Sequence, residues 1–131
     1  MSVHTPASDP AALRAALERP GACLVACFCA EWCDTCRIYR GRFDDLARAR
    51  PDAVFMWIDI EDHPDWLGDE DVDNFPTLLI RRAGRTLFFG PMLPHAGHLE
   101  RMLDTLDAAS PAVATLLPDL ESLLRRAAAR A

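Results

Sequence analysis

The chain contains no lysine, no second Cys-x-x-Cys pair and no hydrophobic run long enough to span a membrane. All 14 basic residues are arginines scattered along the sequence, which we interpret as the codon bias of a GC-rich genome rather than as a binding site. With 20 acidic residues the formal charge is −6. This balance argues against a nucleic acid or an anionic membrane as the main partner, so we expect neither.

The N-terminus also lacks the basic-then-apolar pattern of a secretory signal. The five cysteines are an odd number crowded between Cys23 and Cys36, unlike an extracellular disulfide framework. We therefore expect a bacterial, cytoplasmic protein whose cysteines are thiols, apart from one catalytic pair. Half of the 131 residues are hydrophobic, which is enough to build the core of one compact domain without disulfide staples.

The hydrophobic patterning predicts an α/β fold, because strand-like runs alternate with helical periodicity. The predicted strands are 23–29, 53–59, 77–82 and 86–89. The predicted helices are 9–17, 33–50 and 96–108, with a short helix around Trp66-Leu67. The turn signal Ala83-Gly84 predicts that the last two strands form a hairpin.

Residues 110–131 form an extension beyond the main domain, residues 1–109. Ser110-Pro111 is typical of a helix start, and an apolar stripe at helical spacing follows it. Pro118-Asp119 is expected to divide this C-terminal helical segment into a short turn and a second helix. Two interpretations stay open: the extension packs on its own domain, or it is a dimerisation or partner helix. The chain is therefore expected to be a monomer or a dimer.

The pair Cys33-x-x-Cys36 lies where the run 23–29 gives way to a helix. A helix N-terminus has unpaired N–H groups and a partial positive charge, which favour a thiolate over a thiol at Cys33. Cys36 is one helical turn later on the same face and can close a disulfide with Cys33. The alternatives are half of a zinc site or two inert buried thiols, although a zinc site usually needs a second ligand pair.

Two motifs resemble the thioredoxin family. The string AEWCDTC, residues 30–36, is similar to its Trp-Cys-x-x-Cys active site, and FPTLLI, residues 75–80, is similar to its cis-proline loop and the strand that follows. The segment between the motifs also has the family's length without a gap. The resemblance covers residues 8–108 and implies a thioredoxin-like fold, a central mixed sheet flanked by helices.

The resemblance also implies an activity, thiol–disulfide exchange on protein disulfides. Cys33 would attack a substrate disulfide and Cys36 would resolve the mixed disulfide, leaving a redox-active Cys33–Cys36 disulfide. Trp32, Phe75 and Pro76 would shape the substrate groove. No metal or organic cofactor is expected, but an external electron donor such as a thioredoxin reductase is.

Two departures from the family pattern bear on this activity. Cys27 occupies the position of a buried aspartate, and Trp57 that of a lysine that commonly pairs with it. Because the acid is thought to assist deprotonation of the resolving thiol, its loss should slow resolution. The alternative function is a non-catalytic binding or chaperone module that recognises a partner through the cis-proline groove.

Cys29 is a possible accessory thiol, because it approaches Cys33 from the end of the strand and can form an alternative disulfide or relay oxidation. Cys23 and Cys27 are interpreted as small buried hydrophobes. Cys29-x-x-x-Cys33-x-x-Cys36 also has the cysteine spacing of radical SAM enzymes, which need a much larger barrel. Copper chaperones of thioredoxin fold share part of this spacing, but no clear third histidine ligand is present.

Overall fold

A computed structural model of the chain describes residues 3–6, 10–19, 22–70, 72, 76–82, 85–92, 96–107, 110–118 and 123. The strands in this part of the chain are β1 (Val3–His4), β2 (Cys23–Cys29), β3 (Ala53–Asp59), β4 (Thr77–Arg82) and β5 (Arg85–Pro91). The helices are α1 (Pro10–Leu17), α2 (Asp34–Ala49) and α3 (Ala96–Thr105), with a 3-10 turn at Pro64–Trp66. From α1 to α3 the elements follow one another as the hydrophobic patterning predicts.

The five strands form one mixed sheet in the order β1-β3-β2-β4-β5. Strands β1, β3 and β2 are parallel, whereas β4 and β5 run antiparallel to their neighbours. In this register Cys29 lies opposite Asp59, and Phe28 lies opposite Thr77. The carboxyl ends of β2 and β3 and the start of β4 therefore meet at one edge of the sheet.

Strand β2 is buried along its whole length because helices cover both faces of the sheet. On one face, α2 and α3 pack over the odd-numbered residues of β2, with Tyr39, Phe43 and Leu99 among the fully buried side chains. On the other face, Leu13 of α1 and Trp66 pack over the even-numbered residues. The near-continuous apolar run 23–29 thus correctly predicted a central strand with two buried faces.

Strand β1 was missed in the sequence, since two residues are too short to show a periodicity. Val3 and His4 pair with Phe55 and Met56 of β3 in parallel register. Burial and the nearby N-terminus lower the pKa of His4 from its ordinary value. Among the described helices, none combines the length and the apolar character needed to cross a bilayer.

The helix predicted to begin at Ser110-Pro111 is wrong over residues 110–118, which are irregular. The Val113 N–H donates to the Thr86 carbonyl of β5 at 2.8 Å, so it is not available to an intrahelical carbonyl. Pro118, at the end of this stretch, has no N–H to donate to a helical bond. Two further N–H groups of this stretch bond to side chains, that of Leu116 to the Glu70 carboxylate and that of Leu117 to the Thr115 hydroxyl, so none of the three donates to a helical carbonyl.

The extension also contacts the core beneath α1. Leu117 packs against this cluster, and Leu123, which is helical, is only 4% exposed within it. Gly68, with φ of 60°, lies under Pro118, where a Cβ would come within 2.9 Å of the proline ring. A cavity of about 190 Å³ remains between these residues and the sheet. The other residues of the predicted second helix lie outside the described part of the chain.

Candidate active site

Cys33 is the N-cap residue of α2. After β2 the chain turns back through a hydrogen bond from the Cys33 N–H to the Ala30 carbonyl at 3.0 Å, and the helix begins at Asp34. The Cys33 side chain is partly exposed, is a free thiol and makes no capping hydrogen bond. Its sulfur therefore lies at the positive end of the longest described helix, where N–H groups favour an anion.

Cys36 is bonded to Cys29 and not to Cys33, so the predicted Cys33–Cys36 disulfide is not the bond present in this structure. Cys29 ends β2 on the face that α2 covers, and the first turn of α2 brings Cys36 directly over it. Their Cα atoms are 5.8 Å apart, within the ordinary range for a disulfide. Both residues are only 1% exposed, so neither sulfur lies open at the surface.

Cys27 lies on the same face of β2, with its Sγ 3.6 Å from the Sγ of Cys29. Burial raises the pKa of the Cys27 thiol well above its ordinary value of 9.0, although the Arg40 guanidinium acts in the opposite direction. Cys27 is therefore a neutral thiol at pH 7 and not a substitute for the family's buried acid. Arg40 itself lies 5.0 Å from the centroid of the Trp57 ring and pairs with Asp44.

Trp32 and Pro76 lie at opposite extremes of exposure. The Trp32 side chain is 64% exposed beside Cys33, whereas Pro76 is buried at the start of β4. The pairing of Phe28 with Thr77 brings Pro76 to the edge of the sheet at which β2 ends. Phe75 and the peptide bond before Pro76 lie outside the described residues, so the predicted cis bond stays a prediction.

Two residues that were not picked out in the sequence hold the turn before Cys33. Arg37 donates to the Glu31 carbonyl at 2.9 Å and pairs with Asp34. The Asp59 carboxylate accepts a hydrogen bond from the Glu31 N–H at 3.1 Å. An arginine in the first turn of a helix, where the dipole disfavours a cation, is the one sequence signal that points to such a role.

A cavity of about 510 Å³ opens beside the buried disulfide. Its lining includes Cys36, Arg40, Trp57, Asp59 and His63. Across the described ranges, no three His, Cys, Asp or Glu side chains are grouped as metal ligands. The site thus combines one accessible thiol, one buried disulfide and an adjacent cavity of mixed polarity, an arrangement suited to thiol–disulfide exchange.

The chain has a mixed sheet flanked by helices, and a cysteine lies at the N-terminus of the longest described helix. This arrangement is typical of thioredoxin-fold proteins. A family model described as Thioredoxin matches residues 6–91, and the chain belongs to the thioredoxin family. The fold predicted from the sequence is confirmed by solved structures. A thioredoxin mutant from Halobacterium salinarum superposes with a TM-score of 0.66 at 19% identity, covering 84% of this chain and 95% of that one.

The chain is also similar to a putative thioredoxin 2 of Streptomyces coelicolor, with 36% identity over 70 residues, 53% of this chain and 52% of the relative. The match thus spans about half the length of that curated relative. Thioredoxin f2, in a structure of its complex with ferredoxin:thioredoxin reductase, superposes with a TM-score of 0.64 at 15% identity, covering 79% of this chain and 93% of the other.

Proposed function

We propose that this protein is a thiol–disulfide oxidoreductase that acts on protein disulfides, with Cys33 as the attacking thiol and Cys36 as the resolving thiol. The observation that carries the proposal is the position of Cys33, a partly exposed thiol at the N-terminus of α2 in a thioredoxin fold. Membership of the thioredoxin family supports the same chemistry.

The reaction starts from the reduced chain, in which Cys36 is free. The Cys33 thiolate attacks one sulfur of a substrate disulfide, a Cys33–substrate bond forms, and the other substrate sulfur leaves as a thiolate. Cys36 then loses its proton and attacks the Cys33 sulfur. The second substrate sulfur leaves and takes up a proton, so the substrate is reduced by two electrons and the pair Cys33–Cys36 is oxidised.

The substrate groove is proposed to consist of Trp32, Phe75 and Pro76. Exposure of the Trp32 indole next to Cys33 supports this role, because a large exposed aromatic side chain is typical of a recognition surface. The sheet register supports the part of Pro76, since it brings the start of β4 to the carboxyl end of β2. An extended substrate segment would lie between these two sides.

An external electron donor must return the pair to two thiols, and we propose a thioredoxin reductase or an equivalent protein. The complex of thioredoxin f2 with a reductase supports this class of partner. No further cofactor is needed for the exchange chemistry. We also propose a reducing compartment, the bacterial cytoplasm, because five cysteines crowded between Cys23 and Cys36 are unlike an extracellular disulfide framework.

Insulin reduction driven by dithiothreitol tests the proposal. We expect the wild-type chain to accelerate precipitation of the insulin B chain, and Cys33→Ser to reduce the rate to that of dithiothreitol alone. Cys23→Ala is the matched control, since it removes a buried cysteine of β2 that has no place in the mechanism. It is expected to retain the wild-type rate.

A wild-type chain that does not accelerate insulin reduction, or a Cys33→Ser variant that retains activity, would contradict the proposal. The first result would favour a module that binds partners through the same groove without turning over. The absence of an acid at position 27 is the observation that favours this second candidate. A stable complex between Cys36→Ser and a disulfide substrate would exclude it, because only an attacking Cys33 forms that bond.

A further inference from the structure

Four cysteines of this chain form one group around the first turn of α2. Cys29 is bonded to Cys36, the Cys27 sulfur lies 3.6 Å from that of Cys29, and Cys33 packs against the same core cluster. Only Cys33 is partly exposed, whereas the other three are at most 1% exposed. Any oxidant or reductant of protein size therefore meets Cys33 first.

We propose that Cys29 is a second exchange partner for Cys36, so that the oxidised site alternates between a Cys33–Cys36 bond and a buried Cys29–Cys36 bond. The inference rests on the proposed function, because it assigns Cys33 and Cys36 the same exchange chemistry. Its geometric support is the pairing itself, with two Cα atoms 5.8 Å apart and both residues enclosed between β2 and α2.

The exchange step is an isomerisation that needs no oxidant or reductant. The Cys29 thiolate attacks the Cys36 sulfur of the Cys33–Cys36 bond, a Cys29–Cys36 bond forms, and Cys33 leaves as a thiolate that takes up a proton. In the reverse direction, the Cys33 thiolate attacks Cys36 and releases Cys29. The number of thiols and the number of disulfides are the same before and after.

This step changes what the oxidised protein can do. With the bond at Cys29–Cys36, Cys33 is again an accessible thiol, but its resolving partner is occupied. A substrate attacked by Cys33 then stays attached as a mixed disulfide until Cys36 is freed. A reductase cannot reach the buried bond directly, so reduction passes through Cys33. Cys27 remains a neighbour without a part in the exchange, because its sulfur lies beside that of Cys29 while Cys29 is the residue bonded to Cys36.

Disulfide mapping of the full-length chain tests this assignment. The wild type, Cys33→Ser and Cys29→Ala are oxidised anaerobically with excess oxidised dithiothreitol, quenched in acid and blocked with N-ethylmaleimide. Cleavage after Glu31 and Asp34 places the three exchanging cysteines on three different peptides, so each bond gives its own linked pair. Cys23→Ala, which keeps all four grouped cysteines, is the matched control.

We expect Cys33→Ser to form a disulfide between the peptides of Cys29 and Cys36, and Cys29→Ala to form only the Cys33–Cys36 bond. Native oxidised wild type is expected to accept one maleimide at Cys33 in at least half of the molecules, and native oxidised Cys29→Ala in almost none. The second comparison does not depend on whether the serine variant folds.

An oxidised wild-type chain with no link between the peptides of Cys29 and Cys36, or a Cys29→Ala chain that still contains that link through Cys23 or Cys27, would overturn the inference. Equal maleimide labelling of oxidised wild type and Cys29→Ala would overturn it as well. The outcome for the proposed function is separate, because insulin reduction by wild type and Cys23→Ala is measured in the same preparations. If the chain reduces insulin but forms no Cys29–Cys36 bond, only the role of Cys29 as a second exchange partner is rejected. If the bond forms but the chain does not reduce insulin, the proposed function is rejected.

Discussion

Tyr39 lies on the buried face of α2, which packs on the sheet, and is fully buried. No hydrogen-bond partner for its hydroxyl is found in the described part of the chain, although buried polar groups are normally paired. Burial, together with the nearby Cys27 thiol, raises the pKa of Tyr39 above its ordinary value of 10.0. The aromatic ring therefore stabilises the core by packing against Phe43, while the hydroxyl opposes folding.

We expect Tyr39→Phe to raise the free energy of unfolding by about 1 kcal/mol at pH 7, because it removes a buried unpaired hydroxyl. The advantage should increase above pH 10. A pKa raised by folding means that the unfolded wild type loses the Tyr39 proton first. The wild type therefore has an additional loss of stability as the pH rises, which the variant lacks. Urea unfolding at pH 7 and pH 10.5 measures both effects. Equal free energies of unfolding for the wild type and Tyr39→Phe at both pH values would contradict this account of the hydroxyl.

Helix α2 carries the active-site cysteine at one end and a glycine in its middle. Gly41 is exposed, and a Cβ at this position would meet nothing within 4 Å. It stands where thioredoxins usually place a kinking proline, and α2 is one α-helix from Asp34 to Ala49. Glycine in a helix interior costs conformational entropy without adding contacts, so this position is not at its stability optimum.

Gly41→Ala should therefore raise the free energy of unfolding by about 0.5–1 kcal/mol without changing the rate of insulin reduction. The same substitution at Gly68 is the matched control with the opposite sign, since its φ is 60° and a Cβ would approach Pro118 to 2.9 Å. We expect Gly68→Ala to lower stability by about 1–2 kcal/mol. Thermal or urea unfolding of both variants measures the difference; a loss of stability in Gly41→Ala would contradict the account.

Regular elements were predictable where a hydrophobic pattern, either a helical periodicity or a continuous apolar run, extends over several residues. The two central strands were predicted to the residue, because buried parallel strands have continuous apolar runs bounded by turn signals. The position of Cys33 before α2 was also predictable, because the apolar run 23–29 ends shortly before it and a helical periodicity begins after it. The partner of Cys36 was not, since Cys29 and Cys33 are both close in sequence and only the packing of α2 on β2 brings one of them into bonding position.

The C-terminal extension shows the corresponding limit for the whole molecule. Its apolar spacing predicted a helix from residue 110. Hydrogen bonds from this stretch to β5 and to the Glu70 carboxylate compete with helix formation, and such long-range partners cannot be identified from the spacing of apolar residues. Burial of Leu123 among core residues nevertheless supports one of the two interpretations that the sequence left open. We propose that the extension is an integral layer of this domain rather than a free partner helix.

Leu123→Ala tests this proposal. The side chain is 4% exposed in the cluster that contains Leu13 and Trp66, so its truncation removes buried contacts and should lower the free energy of unfolding by about 2–3 kcal/mol. Leu116→Ala is the matched control in the same extension: that side chain is 66% exposed, and the expected change is below about 0.5 kcal/mol. Urea unfolding at two protein concentrations separates packing within the chain from dimerisation. If the effect of Leu123→Ala disappears on dilution, the extension stabilises a dimer, because only an interface between copies depends on concentration.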